Sequence, residues 1–568
     1  ITFIGPQPEV MQLLGDKIES KTLAERLGVP TVPSEIISGE NSKIEQALLK
    51  FAKTHSFPIL LKATAGGGGR GMRRVRTESE LSSAYESAKR EAEASFGDGR
   101  LFVEKLIESG RHVEVQIFGD SAGNATHCGD RDCTWQRRHQ KIIEEAPAPN
   151  IPDQVRTHMH ECAVKMAQEV KYRGAGTVEF LLDRDNAFYF LEVNSRLQVE
   201  HPVTEGITGL DLVEIQLHIA NGESISELFV EYPPTMRGTS IECRICAEDP
   251  ESDFAPATGT LELLRLGDAA SVTYRARWDV GYRENDRVTH YYDSLLGKLV
   301  VDAPTRQEAI AAACAHLDDT IIAGLSTNIA FCRRLLQSDQ FKEVTHHTTL
   351  ARLQCYSDTE WHALRATLAG IALWFDTAGE SAWRLSHSPI IGASYLVNGV
   401  EVSIELCASD DTQNTIQVIS NNSLLAEFVN LSPYVGQNVC ADLTLNPDCE
   451  SPQHFDDFCA ERQLLSSGMW LTTSLGAFKV AELAPRIARA NKRASAHEKE
   501  VRSPLPGKVI QVLVEEGQAV ETGTTLLVIE SMKMEHQLHA PTDATVHRVD
   551  VAPGDTIEAH KPLIILDF

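Results

Sequence analysis

The sequence predicts a multidomain protein of α/β and α+β character that ends in a small all-β unit. Three observations predict it. The chain has 568 residues, enough for three or four domains at about 150 residues each. Residues 1–352 alternate helical patterns, such as Ser79 to Ala94 and Val155 to Val170, with short apolar strands such as Arg111 to Gly119; that is the texture of helices packed on sheets. Residues 503–568 carry an internal repeat with an offset of 37, matching Pro504 to Pro541, Val509 to Val546, Gly517 to Gly554 and Leu526 to Leu563. Two copies of a four-strand pattern, each too short to bury its own apolar face, imply a two-fold flattened barrel.

Charge narrows the partners. Lys plus Arg is 53 against 80 Asp plus Glu, a net charge of −27, which argues against nucleic acid or an anionic membrane. No apolar run is long enough to span a membrane. Twelve cysteines are spread without a framework, Cys243 and Cys246 being the one close pair. A reducing compartment suits them: the cytoplasm, or the mitochondrial matrix in a eukaryote. Ile1-Thr2-Phe3-Ile4-Gly5-Pro6 lacks an initiator Met and reads as a buried strand running into a turn, as though the chain were entered mid-domain.

Farther along, Asp358 to Phe375 reads as a helix leading into strand-like runs, Ser394 to Leu406 and Thr415 to Val429. Residues 484–502 are polar, Ala-rich and basic without an apolar face, the composition of a flexible linker. The two repeat copies meet at Glu530-Ser531-Met532-Lys533-Met534-Glu535, where a hairpin should present Lys533 at its tip. A solvated turn lysine is the bland reading. Two methionines on an otherwise polar turn suggest a recognition surface instead. The segment resembles the biotinyl/lipoyl carrier domain, and Met-Lys-Met resembles the biotinyl branch, although Ser531 stands where that family has Ala or Val. The resemblance implies that Lys533 carries biotin on a swinging arm, attached by a separate biotin protein ligase.

Residues 57–72 put a strand before a glycine-rich loop. Glycines let backbone N–H groups turn toward a polyphosphate, and Lys62 on the strand can reach the phosphates. No Gly-Lys-Ser/Thr follows, so this is not P-loop spacing; taken alone, it could be a flexible loop. Gly176 to Asp183 and Phe188 to Asn194 read as a hairpin. If Asp183 faces Phe188, then Glu179 faces Glu192 on one side of the sheet, with Asn194 projecting to the same face. Opposed carboxylates repel unless a cation lies between them, and such oxygens suit Mg²⁺ on nucleotide phosphates; two solvated carboxylates on an edge ribbon are the alternative. Ser195 to Glu205 packs charge beside Pro in a loop. Arg131 to Lys141 is a dense basic cluster that, in so acidic a chain, reads as a small-anion pocket.

Together these strings, above all Arg-Arg-His-Gln-Lys and Gln-Val-Glu-His-Pro-Val-Thr-Glu, resemble the biotin carboxylase member of the ATP-grasp superfamily over nearly all of 1–352. The resemblance implies ATP-dependent carboxylation of biotin by bicarbonate through carboxyphosphate. It places Lys17 and Lys62 on the ATP phosphates, and Gly66, Gly67, Gly68, Gly69 and Gly71 in a lid loop where Ala65 replaces a further glycine. Glu104, Lys105 and Leu106 become the adenine hinge, with His112 near the nucleotide. Gln136, His139 and Lys141 line the phosphate and bicarbonate site. Glu179 and Glu192 become ligands of Mg²⁺ or Mn²⁺, with Asn194 beside them. Arg196, Gln198 and Val199 form the bicarbonate site, Glu200 is the general base, and Arg244 stabilises negative charge on the ureido oxygen of biotin. Such a base calls for a raised pKa, and the developing oxyanion for a fixed cation.

On this resemblance, 1–33 is the remnant of an N-terminal biotin carboxylase subdomain and linker helix, and the family has a Rossmann-like portion ahead of it. Residues 34–106 are the ATP-grasp lid, 107–352 the C-terminal subdomain, 353–483 a helix-plus-β domain bridging to a carboxyltransferase, 484–502 a linker and 503–568 the biotinyl carrier. The chain then reads as the α subunit of an acyl-CoA carboxylase. It would work in a hetero-oligomer with a carboxyltransferase β subunit of 3-methylcrotonyl-, acetyl- or propionyl-CoA type. The alternatives are a fragment of a pyruvate or urea carboxylase, or a non-catalytic biotin carrier and scaffold.

Overall fold

Four strands, β1 (Ser34–Ile37), β2 (Ile59–Ala63), β3 (Met72–Val75) and β4 (Leu101–Lys105), form an antiparallel sheet in the order β1-β4-β2-β3. Successive side chains on a strand face opposite ways. Ile59, Leu61 and Ala63 therefore share a core with Leu48 and Phe51 of the helix Asn41–His55 and Ala88 of the helix Leu81–Phe96, while Lys62 turns to the other face. The computed structural model describes residues 2–37, 41–63, 72–96, 99–137, 140–231, 234–252, 254–268, 273–348, 358–381, 391–398, 400–408, 416–420, 423–429, 438–445, 453–473, 476–482, 500–503, 505–531, 534–558 and 561–567.

The second sheet carries the chemistry. It contains β5 (Arg111–Gly119), β6 (Ala125–Arg137), β7 (Gln140–Ala146), β8 (Gly174–Leu182), β9 (Phe188–Asn194) and β10 (Thr239–Cys246), followed by Leu295–Ala303 and Arg275–Val280. From one edge the order is Arg275–Val280, Leu295–Ala303, β10-β7-β6-β5-β8-β9. On β5, Val113, Val115 and Ile117 pack under Met159, Cys162 and Met166 of the helix Asp153–Glu169. Glu114 and Gln116, on the opposite face, are buried too, because the helix His201–Thr208 covers that side and sends Thr204 to the same guanidinium that they bind.

The structure departs from the sequence expectations at three places. Phe3 and Ile4 are 62% and 44% exposed, and no strand runs there among the described residues; without a partner strand an apolar pair stays at the surface. Beside Pro202 the chain is helical from His201, since proline at the second helical position loses no needed N–H. At the β8–β9 turn, Leu182 rather than Asp183 faces Phe188, because the Asp183 carboxylate caps the turn by accepting from the N–H groups of Asp185 and Ala187. A bulge then leaves Leu191 without an opposite residue, which restores Glu179 opposite Glu192.

Beyond these sheets, the helix Asp358–Ser381 packs within a closed eight-stranded barrel running from Ile391–Val397 to Gly476–Glu482. Trp361, Leu364, Leu368 and Ile371 share one core with Tyr395, Val402, Leu443 and Leu471 of the barrel. Cys459 of this barrel is disulfide-bonded, a departure from cysteines without a framework. The last three residues expected in the linker, Glu500–Arg502, are instead a strand paired with Pro562–Asp567.

The C-terminal repeat is realised strand for strand. Gly507–Val512, Ala519–Val520 and Thr525–Ser531 recur 37 residues later as Ala544–Val549, Thr556–Ile557 and Pro562–Asp567. They form two four-stranded sheets around one core that includes Val509, Leu526, Val546 and Leu563. Even the bulge after Val509 has its counterpart after Val546.

Candidate active site

Lys141 is the hub. It projects from β7 with Nζ 2.6 Å from Glu114 Oε2, 3.2 Å from Glu179 Oε1 and 2.5 Å from Glu200 Oε1. Burial lowers the ammonium pKa, but the carboxylates of Glu114, Glu179 and Glu200 outweigh burial and hold it firmly charged. Glu200 lies in the turn ahead of the helix His201–Thr208. Its other oxygen accepts from Arg244 Nη2 at 2.8 Å. Burial alone would raise Glu200, yet Lys141, Arg244 and Arg131 hold its carboxyl well below the usual carboxylate range. That corrects the raised pKa expected of a base: the carboxylate is kept ionised between fixed cations.

Several expected residues converge on Glu179. His112 Nε2 lies 3.0 Å from its Oε2, Asn194 Nδ2 donates to Oε1 at 2.8 Å, and Gln198 Nε2 reaches Oε1 at 3.4 Å. Burial raises the Glu179 carboxyl, but His112 and Lys141 bring it far below its ordinary value. Gln136 bridges His112 Nδ1 and the Cys133 carbonyl, both at 2.7 Å. Arg196 is exposed and donates to Gln198 Oε1 at 2.7 Å. The Val199 carbonyl accepts from Lys298.

A neighbouring cluster forms on the lid sheet. Lys62 pairs with Glu104, which also binds Lys21 Nζ at 2.7 Å. Burial would raise Glu104, and the two lysines hold it below the carboxylate range. Lys17 is lowered by burial, against the charge of Glu192. The Lys105 and Leu106 N–H groups donate to the Pro33 and Pro58 carbonyls, holding the end of β4 across from both segments. Gly66, Gly67, Gly68, Gly69, Gly71, His139 and Lys533 lie outside the described residues.

Glu179 and Glu192, opposed in register, fit a magnesium ion in their donor chemistry: two hard carboxylates and an amide oxygen, Glu179 ionised and Glu192 half-buried. The ligand-capable atoms that lie within 4.8 Å of one another belong to other trios, His112–Glu114–Glu179 and Glu114–Cys133–Glu200. Lys141 already contacts a carboxylate of each, so a cation serves both.

Sequence reasoning missed Lys21, Glu114, Glu144, Glu242 and Lys298, and it read Arg131 only as part of an anion-binding basic cluster, whereas its guanidinium is fully buried on Glu114. The alternation Val113-Glu114-Val115-Gln116-Ile117 was the available signal for Glu114: polar positions on a strand whose apolar positions face a helix can line a covered second face.

Three family models match the chain. They are the ATP-binding domain of the carbamoyl-phosphate synthase L chain over residues 16–228, the biotin carboxylase C-terminal domain over 242–352, and the biotin-requiring enzyme domain over 499–566. The mitochondrial methylcrotonoyl-CoA carboxylase subunit alpha of Mus musculus is 36% identical over 581 residues, covering 99% of this chain and 79% of that protein. The mitochondrial propionyl-CoA carboxylase alpha chain of Homo sapiens is 34% identical, covering 100% and 78%. A biotin carboxylase structure from Campylobacter jejuni, complexed with β,γ-ATP, superposes with a TM-score of 0.58 at 42% identity, over 62% of this chain and 77% of that one. No helix among the described residues is long and apolar enough to cross a membrane. Matched along its whole length by subunits of this kind, the chain belongs to the biotin-dependent acyl-CoA carboxylase α subunits and carries out ATP-dependent carboxylation of biotin.

Proposed function

We propose that Glu200 accepts the proton of bicarbonate while Lys141, Arg196 and Gln198 hold the anion beside it, with Arg244 facing the oxyanion that develops on the acceptor. One observation carries this reading: Lys141, Glu200 and Arg244 form a continuous ion-paired chain, a base between two fixed cations. An anion that takes up Lys141 and Arg244 as its own partners withdraws them from Glu200 and raises its basicity at the moment of proton transfer. Lys17, Lys62 and the glycines 66–69 and 71 hold the ATP phosphates, Lys62 exchanging Glu104 for phosphate. Glu104, Lys105 and Leu106 meet the adenine. His112, Gln136 and Val199 complete the walls, and His139 is proposed to serve the same phosphate and bicarbonate site.

Glu179, Glu192 and Asn194 would hold Mg²⁺, which supplies charge neutralisation on the phosphates. Biotin on Lys533 supplies the nitrogen nucleophile and the mobile arm. A biotin protein ligase attaches it, and a separate carboxyltransferase β subunit receives the carboxyl group within a hetero-oligomer. The acyl acceptor is of the 3-methylcrotonyl or propionyl type, the two kinds of α subunit that match this chain along its length at 34–36% identity.

Glu200→Gln tests the assignment. The variant is expected to fold and bind MgATP while bicarbonate-dependent ADP release falls by about 10²–10⁴-fold, the usual contribution of a general base. Unchanged turnover would remove Glu200 from the mechanism.

A further inference from the structure

Behind Arg244 lies a pair of acidic residues that the proposed reaction does not use. In the pairing of β7 with β10, Glu144 stands directly opposite Glu242, so their side chains share one face at cross-strand contact range. Both are fully buried. Their hydrogen bonding is unequal. Glu144 Oε1 accepts from Arg244 Nε at 2.6 Å and lies 2.5 Å from its Nη2. Glu144 Oε2 and both oxygens of Glu242 are buried with no hydrogen-bond partner. The nearest cation to Glu242, Lys298 Nζ at 3.6 Å, is donating to the Val199 carbonyl.

Two ionised carboxylates opposed in a dry interior repel each other, and three buried orphan oxygens are costly. One proton removes the repulsion and pairs two of the three oxygens, since a neutral Glu242 hydroxyl can donate to Glu144 Oε2, and the remaining Glu242 oxygen is then an uncharged carbonyl, far less costly to bury than a carboxylate. We propose that Glu242 is held as the neutral carboxylic acid against ionised Glu144, and that this stored proton leaves the charge of Arg244 for Glu200 and for an anionic reactant. Glu242 is thus a positioning residue for Arg244.

The groups around Glu242 are Glu144 from β7, Lys298 from the strand Leu295–Ala303, Arg244 from its own strand, and Glu200 from the turn ahead of the helix His201–Thr208. That helix itself carries His201 and Glu205 as its ionisable residues. Burial first, and the charge of Glu144 second, push the Glu242 carboxyl well above its ordinary value. Burial likewise raises Glu144, to about 7, Arg244 pulling against it.

The sign of the consequence is fixed by linkage. A native carboxyl with a raised pKa keeps a proton that the unfolded chain releases, so wild-type stability declines as pH rises above the ordinary carboxylate range toward the native value. Gln and Met at position 242 have no proton to retain. Calorimetry of the full chain from pH 6 to pH 9 should therefore show the Tm of Glu242→Gln, relative to wild type, rising with pH, and Glu242→Met following the same trend. A flat or falling difference would overturn the stored proton. So would failure of both neutral replacements to fold, which would show that the site needs a carboxylate. Infrared spectra should show a protonated carboxyl carbonyl band at pH 7 that Glu242→Gln removes; no loss of such a band would overturn it. The effect on Arg244 rests on the function proposed above and has its own readout. The alkaline limb of bicarbonate-dependent ADP release should move to higher pH in Glu242→Gln, and an unmoved limb would overturn that part alone.

Discussion

Arg244 Nη2 donates to Glu200 Oε2 at 2.8 Å while Arg244 Nε holds Glu144 Oε1 at 2.6 Å. The guanidinium therefore bridges the proposed base and a buried anchor. Its planar fork suits that task, because two directions of donation are fixed by one rigid group. The anchor sets the angle at which the cation meets a reactant, and the base is held within reach of the same reactant.

Arg131 anchors the other side. It is fully buried, with Nε on Glu114 Oε1 at 2.6 Å, Nη1 on Gln116 and Thr204, and Nη2 on Thr177. Lysine cannot make these contacts at once. Arg131→Met leaves Glu114 Oε1 without its guanidinium partner, and removing one partner of such a pair costs about 3–5 kcal/mol. The denaturant midpoint should fall accordingly; a loss below about 1 kcal/mol would contradict a buried, shared charge.

Acid should weaken this unit through Asp130. Burial raises its carboxyl, but His160 and Arg156 hold it below the ordinary range. A depressed native pKa gives stability that is present above the unfolded pKa and lost as pH falls through the native one. Asp130→Asn is thus expected to lower Tm most at pH 6–7 and to converge on wild type as the pH drops below the ordinary Asp value. A Tm difference that grows on acidification would contradict this.

Gly507 sets the carrier unit. Its repeat mate is Ala544, yet a Cβ at 507 would stand 2.4 Å from the Glu530 carbonyl oxygen and 3.3 Å from Ser531 Cβ. Gly507→Ala must shift backbone beside the hairpin, at about 1–3 kcal/mol for overpacking. Avidin capture after co-expression with a biotin ligase should fall with stability; unchanged midpoint and capture would show that the strands separate freely.

Lys533→Arg should abolish avidin capture while MgATP binding persists, since a guanidinium is a poor acyl acceptor that nonetheless keeps the charge. Captured variant protein would end the assignment of Lys533.

Much of this was legible in the chain. The 37-residue repeat foretold the pairing of strands in the carrier because turn glycines and core valines recur at fixed offset. Glu179 opposite Glu192 was reached from a hairpin register that is off by one at its turn, and Leu191 absorbed the error as a bulge. What the sequence hid was long-range. Glu144 and Glu242 lie almost a hundred positions apart, and each looks like an ordinary outward strand residue until a helix covers the second face. The ionised state of Glu200 was equally hidden, because Lys141 and Arg244 reach its turn from two separate strands.

The central claim is that one chain holds both the carboxylating site and its biotin. Its most direct test is transfer of labelled bicarbonate to the biotinylated full chain with MgATP and no β subunit. Acid-labile label on the biotin of Lys533, lost in Glu200→Gln, is the predicted result. Full biotinylation and MgATP binding without any label would contradict it.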